Sequence, residues 1–281
     1  MTLFKASGKI ETIDADKAKE WLSEKKEGEV TILDVRQPQE YSFGHIPGAV
    51  FIPLPELMDR IGELDTAKPV LAYCRTGNRS RSAAAMLLYE GFQSVLSIDG
   101  GINAWNGFMA EGDYSQGMYL LKGGETDEEL ITIAWSLEDG SRLFYEKAGG
   151  LTSDNESKDL FRTLTEAEAR HKENILDAYR MTTGDEVDAG FLEKAALKGV
   201  MESGSQVEEV IALLRDNGGS LQDILEVAMQ MEANALDLYV KMFREIKEKN
   251  AGTVFGSLIE EEKRHLSRLG NLLEEKMQPK S

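Results

Sequence analysis

Hydrophobic and polar positions alternate along residues 1–108 in two interleaved periods. "KIETI" and "VTILDV" carry the period of two expected of strands, and the segment between them, "DADKAKEWLSEKK", carries a helical one. "AVFIPL", "PVLAYC" and "SVLSI" are further short β-branched runs, separated by helical or turn-rich stretches. This alternation predicts an α/β unit, a mostly parallel sheet with helices on its faces.

From Thr126 onward the period becomes that of long helices. Thr126 and Glu129 form a capping box that opens "DEELITIAWSLEDGSRLFYEKAGG". Further helices are expected over 156–182, from Ser220 to about 249, and over 253–277. Between the second and third lies a connection of more than thirty residues that holds a short helix, "QVEEVIALLRDN". Short loops within each pair and one long crossover between pairs describe a ferritin-like four-helix bundle. The expected organisation is therefore multidomain, α/β plus all-α: residues 1–108, a glycine-rich linker over 109–125, and a bundle over 126–281.

A length of 281 residues suits two domains, and 41% hydrophobic with 29% charged residues suits two packed cores. No apolar run approaches the roughly 20 residues that span a bilayer, and the N-terminus lacks the apolar core of a signal peptide. The expected location is the cytoplasm, with no membrane partner. A single cysteine excludes an internal disulfide and any site needing several thiolates, zinc or rubredoxin-type iron included. The net charge of −18 is uneven: residues 1–110 carry 12 Lys+Arg against 15 Asp+Glu, and residues 111–281 carry 20 against 35. Such a surface disfavours nucleic acid and makes some of the C-terminal carboxylates candidate cation ligands.

The C-terminal part repeats itself at an offset of 94. Glu138 is followed by Tyr145, and Glu232 by Tyr239, each at +7. Glu168 precedes His171 by three, and Glu262 precedes His265 by three, with 30 positions from Glu138 to Glu168 and again from Glu232 to Glu262. Residues i and i+3 share a helix face, so each Glu-x-x-His offers one oxygen and one nitrogen to the same metal. Two such pairs and one glutamate from each remaining helix make four carboxylates and two imidazoles, the di-iron or di-manganese set of ferritin-like bundles. Four negative charges balance two divalent cations, and imidazole with carboxylate suits iron or manganese better than magnesium or calcium. Tyr145 and Tyr239 lie two turns beyond the glutamates of their own helices and are candidate hydrogen-bond donors to the carboxylates.

On Glu138, Glu168, His171, Glu232, Glu262 and His265, residues 126–277 resemble the rubrerythrin branch of the ferritin-like superfamily. The resemblance implies a non-haem site of two iron ions, with manganese or mixed occupancy as variants and no organic cofactor. It implies reduction of peroxide, or oxidation of ferrous iron by oxygen or peroxide, and association into a homodimer. Relatives usually carry a rubredoxin module, for which this chain's single cysteine is too few, so an external electron donor such as a rubredoxin is expected. Relatives also bring a further glutamate on the third helix; here Met229 and Ala235 stand three positions either side of Glu232.

Cys74 follows the apolar run "VLAY" and precedes a loop of Arg75, Thr76, Gly77, Asn78 and Arg79, after which a helix begins near Ser80. Loop amides, a helix N-terminus and guanidinium groups all stabilise an anion, which lowers a thiol pKa and keeps it nucleophilic. Arg75 and Arg79 are candidates to hold an anionic donor, with Arg36 as a further one unless it serves as an ion-pair partner, for instance of Glu40. His45 is expected to be a structural hydrogen-bonder. "LDVRQPQEYSFGHIPGAVFIP", "CRTGNRS" and "DGGINAW" occur in this order, and on them residues 1–108 resemble a single-domain rhodanese. That implies sulfurtransferase chemistry, with sulfur taken from thiosulfate or a persulfide donor on to Cys74 and passed to an external thiol acceptor. The whole chain is expected to join this activity to di-iron peroxide reduction. A ferroxidase or iron store, and a carrier or sensor loaded with persulfide and metal, are the alternatives.

Overall fold

The computed structural model describes residues 10–112, 124–247 and 249–277, the side chain of Asn250 apart, and the chain divides into two units, 1–114 and 115–281. In the first, strands β1 (Glu11–Ile13), β2 (Thr31–Asp34), β3 (Val50–Phe51), β4 (Val70–Tyr73) and β5 (Val95–Ile98) form one sheet in the order β1-β5-β4-β2-β3. Every pairing is parallel. Helices α1 (Ala15–Ser23), α2 (Pro38–Ser42) and α3 (Asn78–Tyr89) supply the crossovers. α1 starts where Asp14 accepts hydrogen bonds from the amides of Asp16 and Lys17, at 3.0 and 3.4 Å, which satisfies donors that the helix leaves unpaired.

β4 is the middle strand, and all four of its residues are buried, as its unbroken apolar run requires of a strand covered on both faces. One core packs Leu33, Val70, Ala72, Ala83, Leu87 and Phe92, and another packs Ala18, Leu71, Tyr73 and Ile98. Cys74 leaves the carboxyl end of β4, where open parallel sheets present their sites.

The second unit is helical: α4 (Asp127–Ala148), α5 (Asn155–Thr183), α6 (Ala189–Ala195), α7 (Val207–Asp216), α8 (Leu221–Glu245) and α9 (Lys249–Met277). α4 packs on α5 and α8 on α9, with α6 and α7 inside the crossover, the ferritin-like arrangement. Thr126 and Glu129 form the capping box, Oγ1 accepting from the Glu129 amide and the Glu129 carboxylate accepting from the Thr126 amide. The end of the bundle holds Phe144, Phe161, Leu164, Ile211, Leu225 and Leu269; burying a side chain such as Phe161 stabilises by about 1.5–3 kcal/mol.

Two boundaries differ from the sequence expectation. α8 stops at Glu245 because Ile246 takes an extended conformation, and α9 begins at Lys249. The polar run "EIKEKN" has no apolar spacing that would mark this break. α6 has no counterpart in the sequence pattern; it is short and capped by Asp188, whose carboxylate accepts from the Phe191 amide at 3.1 Å. Of the expected linker, residues 109–112 are tied to the first unit, Ala110 pairing with His45 and the Gly112 amide donating to Ser42 O. Residues 113–123 lie outside the described residues, as do 1–9. Among the described residues no helix is long and apolar enough to cross a membrane.

Candidate active-site loop and metal centre

The loop after β4 wraps the Cys74 sulfur. The Gly77 amide donates to Sγ at 3.1 Å, and the Ser80 hydroxyl lies 3.6 Å from it while also bonding Ser97 Oγ on β5 at 2.8 Å. Burial acts to raise the thiol pKa, but the amides of Ser80, Thr76 and Gly77 and the Ser80 hydroxyl outweigh it, so the thiol titrates below its ordinary range. The loop is held from beneath by the segment after β5: Ile102 N donates to Cys74 O and Asn103 N to Arg75 O. Gly101 makes that approach possible, with φ +60° and a position where a Cβ would sit 2.2 Å from Cys74 O. The motif "DGGINAW" is thus a latch under the active loop.

The arginines divide. Arg75 is exposed. Arg79 faces Glu40, with two hydrogen bonds of 2.7 Å, and acts electrostatically on Cys74 as well. Arg36 is buried and committed to Asp34, at 2.6 to 3.0 Å, and to Gly44 O at 2.7 Å. Of the two roles open to Arg36, the ion pair is the one observed, and the correction is to its partner: Asp34 takes Arg36, and Glu40 pairs with Arg79. His45 is buried and stacked on Tyr41 at 3.7 Å.

In the second unit, α4 contributes Glu138, α5 Glu168 and His171, α8 Glu232, and α9 Glu262 and His265, every one of them at most 3% exposed. His171 Nδ1 stands 2.8 Å from Glu138 Oε2 and 2.8 Å from Glu168 Oε2. His265 Nδ1 stands 3.2 Å from Glu168 Oε1, 3.4 Å from Glu232 Oε1 and 3.5 Å from Glu262 Oε2. The two imidazoles stack at 5.5 Å. Burial opposes charge on both histidines, yet the surrounding carboxylates raise His171 to about 12, with Glu138 foremost, and raise His265 as well. Burial and the Glu168 charge bring Glu138 up to about 7.

Both tyrosines reach the centre, and they cross between helices. Tyr145 donates to Glu232, and Tyr239 donates to Glu138 Oε1 at 2.6 Å. Each therefore serves the glutamate of the other repeat.

Whether these residues suit metal ions can be read from their own geometry. Both oxygens of Glu168, Oε2 of Glu262 and Nδ1 of His265 are buried without a hydrogen bond, although potential partners stand close by. Ligand-type atoms of Glu138, Glu168, His171 and Glu262, and of Glu168, Glu232 and His265, lie within 4.8 Å of one another. His171 Nδ1 and Glu138 Oε2 bond each other, but the unbonded atoms of Glu168, Glu262 and His265 converge beside them, which fits cations between them, and the hard oxygen and borderline nitrogen donors fit iron or manganese.

Two carboxylates went unnoticed in the sequence. Glu261 accepts from His171 Nε2 at 2.6 Å, the carboxylate–histidine contact that fixes a ligand's orientation. Its signal was the broken repeat, since the position 94 earlier is Ala167. Glu202, in the crossover, is 4% exposed and had no periodic signal at all.

Comparison with known proteins assigns residues 14–107 to the Rhodanese-like domain family and residues 129–273, just over half of the chain, to the Rubrerythrin family. The reduced CoADR-RHD of Bacillus anthracis is 32% identical over 34% of this chain, with a TM-score of 0.31, and the match spans 16% of that protein's length. A rhodanese-like domain protein from Staphylococcus aureus is 30% identical over 34% of this chain and 92% of its own, with a TM-score of 0.32. A NAD-dependent persulfide reductase from A. fulgidus is 28% identical over 34% of this chain and 16% of its own, with a TM-score of 0.28.

Proposed function

We propose, from the premise that this chain belongs to the rubrerythrin family and carries a rhodanese-like domain ahead of its bundle, that it joins persulfide transfer at Cys74 to peroxide reduction at a di-iron centre. The observation that carries the second activity is the convergence of four buried glutamates and two histidines on one interior volume.

In the first activity, the Cys74 thiolate attacks the outer sulfur of thiosulfate. The S–S bond of the donor breaks, sulfite leaves with the electron pair, and Cys74 holds a persulfide. An external thiolate then attacks the outer sulfur and releases the Cys74 thiolate. The loop amides that face Sγ stabilise the anion at both ends of the cycle. Arg79 contributes positive charge beside the sulfur, and Arg75 is free to meet the anionic donor from solvent. With one cysteine in the chain, no internal thiol can resolve the persulfide.

In the bundle, Glu138 with His171 and Glu232 with His265 would each hold one ion, and Glu168 and Glu262 would serve both. Iron, when bound, supplies the electrons that divide the O–O bond of peroxide, replenished by an external donor. Tyr145 and Tyr239 hold Glu232 and Glu138 in place, and Glu261 fixes the ring of His171. Burial of all six ligands keeps bulk water from the reaction. The single cysteine, which leaves no rubredoxin module in the chain, favours ferrous iron oxidation as the second reading.

The test is metal analysis of protein purified without oxygen, followed by peroxide consumption with a supplied reductant. Two iron equivalents and catalytic turnover support the reading. Iron taken up and oxidised without reductant-dependent turnover supports the ferroxidase. For the first unit, thiosulfate-to-cyanide transfer that persists in Cys74→Ser removes the assignment.

A further inference from the structure

The crossover between α5 and α8 does more than connect. Leu197 N donates to Ser136 Oγ on α4 at 3.1 Å. Four residues along the same helix, Gly140 lets the chain pass closely: a Cβ there would lie 2.2 Å from Val200 O. Glycine inside a helix is destabilising relative to alanine, so its place here calls for a packing reason, and this contact supplies one. The chain then turns tightly, Met201 N donating to Ser205 O and Gly204 N to Met201 O. Glu202, at the start of that turn, is 96% buried by its 4% exposure, and its Oε1 accepts from Ser141 Oγ at 3.4 Å. Its Oε2 is buried without a hydrogen-bond partner. Ser141 is one helical turn from Glu138, and Glu202 interacts electrostatically with both Glu232 and Glu138.

The two serines and the glycine that meet the crossover occur in one repeat only. The positions 94 beyond Ser136, Gly140 and Ser141 are Gln230, Asn234 and Ala235. The backbone hydrogen bonds of the turn and the Gly140 contact do not involve the Glu202 carboxyl, and burying a carboxyl with one unpaired oxygen beside other carboxylates costs stability. Cations placed among Glu138, Glu232 and their neighbours reverse the sign of that interaction.

We propose that Glu202 is a positioning carboxylate of the metal centre, delivered by the crossover rather than by a bundle helix, and that it strengthens cation binding on the α4–α8 side. The inference rests on the di-iron reading above. Its test is Glu202→Gln in the full chain, with Glu209→Gln on the exposed face of α7 as the charge control. Titration with Mn(II) or Co(II) should show the variant binding roughly tenfold more weakly than wild type, the lower end of what loss of such outer partners does. The metal-free variant should melt at or above wild type, because an unpaired buried acid has been removed. Unchanged or tighter binding overturns the proposal, and so does a metal-free variant that melts below wild type, which marks a structural residue. Wild type that fails to bind two equivalents overturns the di-iron reading and this inference with it, whereas wild type that binds two while Glu202→Gln matches it overturns this inference alone.

Discussion

Tyr239 on α8 donates its hydroxyl to Glu138 on α4 at 2.6 Å, and Tyr145 on α4 returns the contact to Glu232 on α8. The two bonds tie the repeats across the bundle, so each half of the centre is oriented by the other. All four side chains are at most 1% exposed. A hydrogen bond to a charged group contributes about 1.5–3 kcal/mol, and a buried carboxylate left without its donor costs a similar amount. Tyr239→Phe should therefore destabilise the metal-free protein by about 2 kcal/mol in denaturant unfolding. In a double-mutant cycle with Glu138→Gln most of that loss should disappear; a coupling energy near zero would show that the ring packing, not the hydroxyl, matters.

The repeat made much of this legible from sequence. Spacings of 3, 7, 30 and 94 residues point to six candidate ligands and two tyrosines, which the fold brings to one place. What periodicity could not convey was which partner each tyrosine meets, because residues on one helix face can bond forward to a neighbour rather than along their own helix. Glu202 escaped for a different reason: its position depends on a turn packed over Gly140, a tertiary contact with no local pattern. In the first unit the motif order was clear, but the role of Arg36 was not. A buried arginine committed to Asp34 two residues earlier looks the same in sequence as one that faces a ligand.

The Cys74 loop makes a prediction in pH. Ser80 offers the sulfur both its amide and its hydroxyl, and Ser97 holds that hydroxyl at 2.8 Å. Ser80→Ala removes one donor to the thiolate and leaves the amide. The midpoint of iodoacetamide alkylation against pH should rise by up to about one pH unit, the size of a hydrogen bond to a charged group at its weaker end. Arg79→Ala should raise it too and should raise KM for thiosulfate more than it lowers kcat. A profile that superimposes on wild type for both variants would remove the loop from control of the thiol.

The metal-free bundle should lose stability as the solution becomes alkaline. His171 is protonated up to about 12 in the folded chain, against an ordinary value of 6.5, so between these limits the folded state binds a proton that the unfolded state has released. Stability from this group is complete below about 6.5 and declines as pH rises toward 12. His265, also raised, acts in the same direction; Glu138, raised from 4.5 to about 7, does so only below about pH 7 and adds nothing to the alkaline fall. Melting temperatures of metal-free protein should fall from pH 7 to pH 10, while the metal-loaded protein, its histidines already deprotonated, should fall less. Loading at pH 7 should accordingly release protons, which calorimetry in buffers of different ionisation enthalpy can count. No proton release would show that the histidines are neutral before metal arrives.

Glu168 provides the sharpest test of whether the centre is one unit or two. Its Oε2 stands 2.8 Å from His171 Nδ1, and its Oε1 stands 3.2 Å from His265 Nδ1. Glu262 repeats the arrangement more loosely, Oε1 at 4.0 Å from His171 Nδ1 and Oε2 at 3.5 Å from His265 Nδ1. Each repeat alone supplies one glutamate and one Glu-x-x-His, three side chains, too few to enclose an ion that favours six donors. If Glu168 and Glu262 were shared, both ions would gain oxygens from the same residues, and the shared carboxylates would offset their charges. Removing one shared carboxylate should then weaken both positions, since ligand charge falls and the repulsion between the ions is less offset. Glu168→Ala should lose more than one equivalent of Mn(II) or Fe(II) under conditions where wild type binds two. Glu138→Gln, which alters a carboxylate bonded to His171, should weaken chiefly the ion that His171 would hold. If Glu168→Ala instead kept one equivalent at wild-type affinity, the His265 half would be independent and the shared-carboxylate arrangement would be wrong.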